Sequence, residues 1–188
     1  MKQNRILFIV ENTTDKVIVE RLASRVLPQR VQFYTVRLGH KGRFTSAYTS
    51  ALKFLAHSYH HVIVVFDTDS TDELEIENKY SRYSAQFVKY GISRDVSLCA
   101  AVPQIEAWLL GHYMNHSECE QGEPKAKLAE LMQAHGPDDL RQLAERADLE
   151  LMKKRSPSFA QFVQTLQTVV AQPVRAPLVY TVGMPIPA

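Results

Sequence analysis

Three carboxylates stand where two apolar runs stop. Glu11 follows the run 6–10, and Asp67 and Asp69 follow the run 62–66. Both runs are short, rich in β-branched residues and end abruptly, which is how buried strands of a parallel sheet read. In such sheets ligands gather beyond the carboxyl ends of the strands. Glu11, Asp67 and Asp69 are therefore expected at one sheet edge. Clustered carboxylates repel one another unless a cation lies among them. An all-oxygen donor set favours a hard divalent ion, Mg²⁺ or Mn²⁺. Asp67-Thr68-Asp69 adds a local reason, because residues two apart in an extended chain share one side. The competing reading of this tripeptide is a strand end, a turn and a helix cap, where Asp is common. For Glu11 the competing reading is a solvated loop residue. Its favourable one is a negative charge near an incoming helix N-terminus.

Two basic clusters complete the inventory. Arg37, His40, Lys41 and Arg43 follow a second strand, so the topology puts them at the same sheet edge as the carboxylates. Lys153, Lys154 and Arg155 precede Ser156 and Ser158 at a helix start, where serine and backbone N–H groups can hold phosphate. For any single one of these residues a solvated basic turn is the plainer alternative. The pair His60-His61 precedes a strand and is expected at the opposite end of the sheet. Nothing in the spacing of the histidines forms a zinc motif.

The elements that position these residues are legible. Strands are expected at 6–10, 31–38, 62–67 and 96–101, and helices at about 14–27, 44–57 and 72–90. Val17, Val19, Leu22, Val26 and Leu27 form the inward stripe of the first helix. Strands alternating with helices predict an α/β fold with a mostly parallel four-stranded sheet. From Gln104 the pattern turns wholly helical, with segments opening at Ile105 and running over 124–134, 137–152 and 157–170. The division expected is an α/β core over 1–103, a helical extension over 104–171 and a tail over 172–188 carrying four prolines. At 188 residues the chain suits one domain with an appendage. No run is long and apolar enough to span a membrane. Residues 1–10 read as a strand rather than a signal peptide. Only two cysteines occur, without ligand spacing, which fits a reducing cytoplasm. The net charge of +2 argues neither for nor against nucleic acid, so the local clusters carry that question.

The stretch Phe8-Ile9-Val10-Glu11-Asn12-Thr13-Thr14-Asp15, followed by Val64-Val65-Phe66-Asp67-Thr68-Asp69, resembles the Toprim domain of topoisomerases, primases and overcoming-lysogenisation nucleases. The resemblance covers about residues 4–101. Asn12 stands where that family usually has glycine, and Asn tolerates the left-handed backbone better than most residues. Residues 102–110 and 154–159 look like segments of a small bacterial branch of Toprim-like proteins. Relatives in that neighbourhood are linked to phage defence, often beside an ATPase.

The resemblance implies metal-dependent cleavage of DNA or RNA. Asp67 and Asp69 would hold Mg²⁺ or Mn²⁺. Glu11 would be a further ligand or the general base. Asp15 and Glu106 would complete a second metal position, although each equally suits a first-turn helix acid. Lys41 or Lys154 would stabilise the charge developing on phosphate. A partner ATPase or a homodimer would supply what so short a nuclease lacks. Trp108 reads as core rather than a base-stacking platform. Three rivals use the same residues, one of them a nucleotide-sugar transferase with an Asp-x-Asp metal site, for which nothing resembles a nucleotide pocket. Asp67-Thr68-Asp69-Ser70-Thr71 also fits the haloacid-dehalogenase phosphatase signature, although that family places it on the first strand. The third rival is a Toprim-fold module that binds nucleic acid or a partner without cutting.

Overall fold

The computed structural model describes residues 4–37, 58–89, 96–115, 118–119, 122–135 and 139–172. Four strands form the sheet: β1 (Arg5–Val10), β2 (Gln32–Arg37), β3 (His61–Asp67) and β4 (Val96–Ala101). All neighbouring pairs are parallel, in the order β2-β1-β3-β4. Seven helices are described: α1 (Thr13–Val26), α2 (Glu73–Lys89), α3 (Glu106–Leu110), α4 (Pro124–His135), α5 (Leu140–Arg146), α6 (Leu149–Arg155) and α7 (Pro157–Ala171). The expected α/β class with a helical C-terminal region is what the chain adopts, and the arrangement is Rossmann-like. The helix expected over 44–57 and the proline-bearing tail beyond Gln172 lie outside the described residues. No helix among those described is long and apolar enough to cross a membrane.

Strand alternation sorts the side chains into two layers. Ile6, Phe8, Val10, Ile63 and Val65 face one core together with α1 residues Ile18, Val19, Leu22 and Ala23. Leu7, Ile9, Val62, Val64 and Phe66 face the other, beneath Tyr83 and Phe87 of α2. The first core runs without a break into the C-terminal helices. Trp108, Phe159 and Phe162 belong to it, and Phe162 meets Phe8 of β1 with ring centroids 6.3 Å apart. The helical extension therefore completes the sheet's own core, because one face of a sheet must be covered by something apolar. Trp108 is fully buried, as expected of a core residue.

Two local expectations change. Residues 137–152 were expected to form one helix, and α5 and α6 divide that stretch. Ala147 takes ψ 139°, and the Asp148 side chain accepts from the N–H groups of Glu150 and Leu151, which starts a new helix. The start of α1 also differs. Asn12, rather than a threonine, is its cap: Asn12 Oδ1 accepts from Asp15 N at 3.0 Å, and Asp15 Oδ2 accepts from Asn12 N at 3.1 Å. This reciprocal pair is a capping box with Asp in the return position. Asn12 is extended, at φ −138°, so the position asks for no left-handed backbone. Asn12→Ala should therefore cost about 1 kcal/mol, and Asn12→Gly only a few tenths, in urea unfolding. No measurable loss in Asn12→Ala would show that the side-chain cap contributes nothing.

Candidate functional site

The strand order places a topological switch point between β1 and β3. The chain leaves β1 for β2 on one side, then crosses back to β3 on the other, so the loops beyond these two strands diverge and leave a crevice. Ile9 pairs with Val64, so Glu11 and Asp67 leave the sheet at nearly the same level. Alternation then sends them to opposite faces. Glu11 continues the Leu7–Ile9 side, toward α2, where its Oε1 accepts a hydrogen bond from the Tyr83 hydroxyl. Asp67 continues the Ile63–Val65 side, toward α1 and the loop after β4. There Asp67 Oδ1 accepts from Ile105 N at 2.8 Å.

That loop is laced to the end of β3. Thr68 N donates to Ala101 O at 3.0 Å, and Asp69 N donates to Pro103 O at 2.8 Å. The buried Thr68 hydroxyl donates to Ser70 O at 2.6 Å and lies 3.3 Å from both Ala101 O and Pro103 O. The Val102–Pro103 peptide is cis. The lacing delivers Glu106, only 5% exposed, to the same crevice at the start of α3.

Four carboxylates thus share one neighbourhood: Glu11, Asp15, Asp67 and Glu106. Burial pushes the Asp67 carboxyl up to about 8, and the charges of Asp15, Glu106 and Glu11 add to it against the lowering effect of Ile105 N–H. Asp15 rises to about 6, again mainly through burial, with Glu106 and Glu11 adding and the Asn12 backbone bond opposing. Asp15 is 2% exposed, and its Oδ1 is buried without a hydrogen-bond partner. A buried acceptor left unsatisfied is costly. Oxygen donors of this kind suit a hard divalent cation. Among the described residues, however, no group of three or more His, Cys, Asp or Glu side chains is gathered closely enough to hold an ion. The four acids feel one another's charge without converging on a point.

The other expected site residues fall in different places. Asp69 does not join the group. The chain is extended only as far as Asp67, and Asp69 takes φ +57° in the left-handed region, so the premise that residues two apart share a side fails there. Its carboxylate is exposed and pairs with Lys79 Nζ at 2.7 Å. Arg37 lies at the carboxyl edge, as expected, and donates to Thr13 Oγ1 at 2.7 Å at the start of α1. Lys41 and Arg43 lie outside the described residues, as does His40. Lys153 pairs with Glu150 at 2.6 Å, while Lys154 is exposed. Ser156 is not a surface residue: it is 3% exposed, and its hydroxyl caps α7 by accepting from Phe159 N at 3.4 Å. Ser158 is also buried and accepts from Trp108 Nε1 at 2.9 Å. His61 begins β3 at the opposite edge, 2.9 Å from Ser97 Oγ.

Sequence reasoning missed Tyr83. Helix α2 read as polar, yet Tyr80, Tyr83 and Phe87 recur at helical spacing. That stripe was the available signal for its inward face.

No family model matches this chain, and neither a curated protein nor a solved structure is found similar to it. The class that the fold defines is an all-parallel α/β protein with a buried acidic group at its switch point.

Proposed function

We propose that this chain is a metal-dependent phosphodiesterase that cleaves nucleic acid. The observation that carries the reading is the group Glu11, Asp15, Asp67 and Glu106 at the β1/β3 switch point, with the buried and unpartnered Asp15 Oδ1 among them. Asp15 also caps α1 and Asp67 also anchors Ile105 N, but neither role uses the buried Asp15 Oδ1, and acids with shifted pKa values concentrate at functional sites. Asp15, Asp67 and Glu106 offer oxygen donors on the α1 side of the crevice, and Glu11 offers one from the α2 side. A bound divalent cation would neutralise the group, polarise a phosphoryl oxygen and make its water a nucleophile near neutral pH. The side chains would turn inward to meet it.

The rest of the reaction falls to the chain's own residues. A water oxygen attacks phosphorus and gives up a proton, the bond to the leaving oxygen breaks, and the leaving oxygen takes a proton from bulk water. Glu11 is the candidate to accept the water's proton. Arg37, at the same edge, is the candidate to meet a phosphate oxygen. The Toprim resemblance, the phage-defence role and a partner ATPase or second copy are supported by the sequence residues alone. The phosphatase alternative needs its second aspartate beside the first, and the outward pairing of Asp69 with Lys79 gives it less support.

The test is cleavage of labelled single- and double-stranded DNA and RNA with Mg²⁺, Mn²⁺ or EDTA, beside Glu11→Gln. Metal-dependent cutting, reduced at least a hundredfold in the variant, is expected. Hydrolysis of a phosphomonoester that persists in Glu11→Gln and dies in Asp67→Asn would move the assignment to a phosphatase. Salt-sensitive binding without cutting under any metal would leave a binding module.

A further inference from the structure

We infer that Tyr83 is a positioning residue for the acidic centre, fixing Glu11 so that one carboxylate oxygen is reserved for the phenol and the other is left for a divalent cation or its water. The inference rests on the reading of that centre as a cation site.

Several features of the structure lead to it. Tyr83 lies on α2, and 72 positions of sequence separate it from Glu11, so the contact is a product of the fold. Its side chain is buried at 2% exposure, and the ring packs on Phe66 of β3 with centroids 4.5 Å apart. Phe66 immediately precedes Asp67. The ring is thus seated by the strand that carries one acid, while its hydroxyl reaches the acid at the end of the neighbouring strand. A phenol held this way has little freedom to follow Glu11; Glu11 must come to it.

The chemistry fits that task. A carboxylate has two oxygens and can chelate an ion with both or bind through one. With Oε1 accepting from the phenol, Glu11 presents a single oxygen. Hydrogen-bonding partners behind a metal ligand commonly set its orientation, and removing one weakens metal binding on the order of 10–100-fold. The same helix carries a built-in comparison. Tyr80 also has a ring against Phe66, with centroids 5.2 Å apart, but its hydroxyl accepts from Ala100 N of β4 and meets no acid among the described residues.

The experiment is a Mn²⁺ titration followed by the loss of the free-ion electron paramagnetic resonance signal, on the full chain, for wild type, Tyr83→Phe and Tyr80→Phe. Thermal unfolding of each without metal runs alongside. Phenylalanine preserves both ring packings, so all three proteins should unfold cooperatively. Tyr83→Phe is expected to weaken Mn²⁺ binding at least tenfold, and Tyr80→Phe to change it less than threefold. If wild type and Tyr83→Phe bind Mn²⁺ equally, the positioning role is overturned and the cation site stands. If wild type binds no Mn²⁺, the cation site itself falls, and the inference with it. Equal weakening in both variants would also overturn the role, because it would mark a general effect of losing a hydroxyl from α2.

Discussion

Asp67→Asn is expected to stabilise the metal-free protein at neutral pH and to abolish stabilisation by Mg²⁺ or Mn²⁺. The Asp67 carboxyl is held at about 8 in the folded chain, against an ordinary value of 3.8. In the unfolded chain it ionises near that ordinary value. Below about pH 4 both states carry the proton, and the group does not affect stability. As pH rises from about 4 to 8 the unfolded state releases its proton while the folded state retains it, so stability falls. Above 8 the folded state holds a buried carboxylate among like charges. Asp15, at about 6, adds a slope of the same sign over the lower half of that window.

Asparagine cannot ionise, and its side-chain oxygen can still accept from Ile105 N. The substitution should recover about 2–3 kcal/mol at pH 8, after allowing for water reaching the site. That corresponds to roughly 4–12 °C in Tm for a chain of this size. Thermal unfolding of both proteins at pH 5 and pH 8 reads this directly: the gap between them should widen with pH. A variant no more stable than wild type at pH 8 would show that the acidic group carries no strain for a cation to relieve. Such an exchange, stability gained where function is lost, is what a functional acid predicts and a structural one does not.

Trp108→Ala should be the most destabilising single change in the C-terminal region. Trp108 is fully buried, stacks on Phe162 with centroids 4.9 Å apart and lies 5.6 Å from Phe159. Its removal leaves a cavity and takes the donor from the buried Ser158 hydroxyl, which also meets Val102 N at 3.4 Å. Truncating a buried Trp or Phe costs about 3–5 kcal/mol. The expected fall in Tm is roughly 6–20 °C. Because Phe162 also touches Phe8 of the sheet, the whole chain should unfold in one transition at the lower temperature. A variant in which the sheet melts as before while the C-terminal helices melt separately would make the extension an independent appendage. Ser158 also joins the start of α7 to the loop that delivers Glu106. Loss of Trp108 should therefore disturb the acidic centre as well as the core.

The amino-acid sequence determined a good part of this. The apolar runs at 6–10 and 62–66 were legible because buried parallel strands are continuous stretches rich in β-branched residues with sharp ends. The placing of Glu11 and Asp67 at one edge followed from that, since all strands of a parallel sheet end on the same side. Proline at the start of α4 and of α7 marked those helices, whose first turn tolerates it. These features depend on residues near one another along the chain.

What only the tertiary structure decided depends on residues far apart, or on a single backbone angle. Asp69 was expected beside Asp67, and its left-handed φ turns it toward Lys79 instead. Glu106 had two readings of equal standing. The hydrogen bonds between the Thr68 turn and the loop after β4 bring it to the crevice. Ser156 looked like a phosphate ligand, and it is buried with its hydroxyl capping α7. Asn12 looked like a substitute for glycine, and its side chain proved to be a helix cap. Tyr83 was not singled out at all. A hydrogen bond between a helix and a strand tip leaves no periodic trace in sequence, because its partners are set by how two layers meet rather than by spacing along either one.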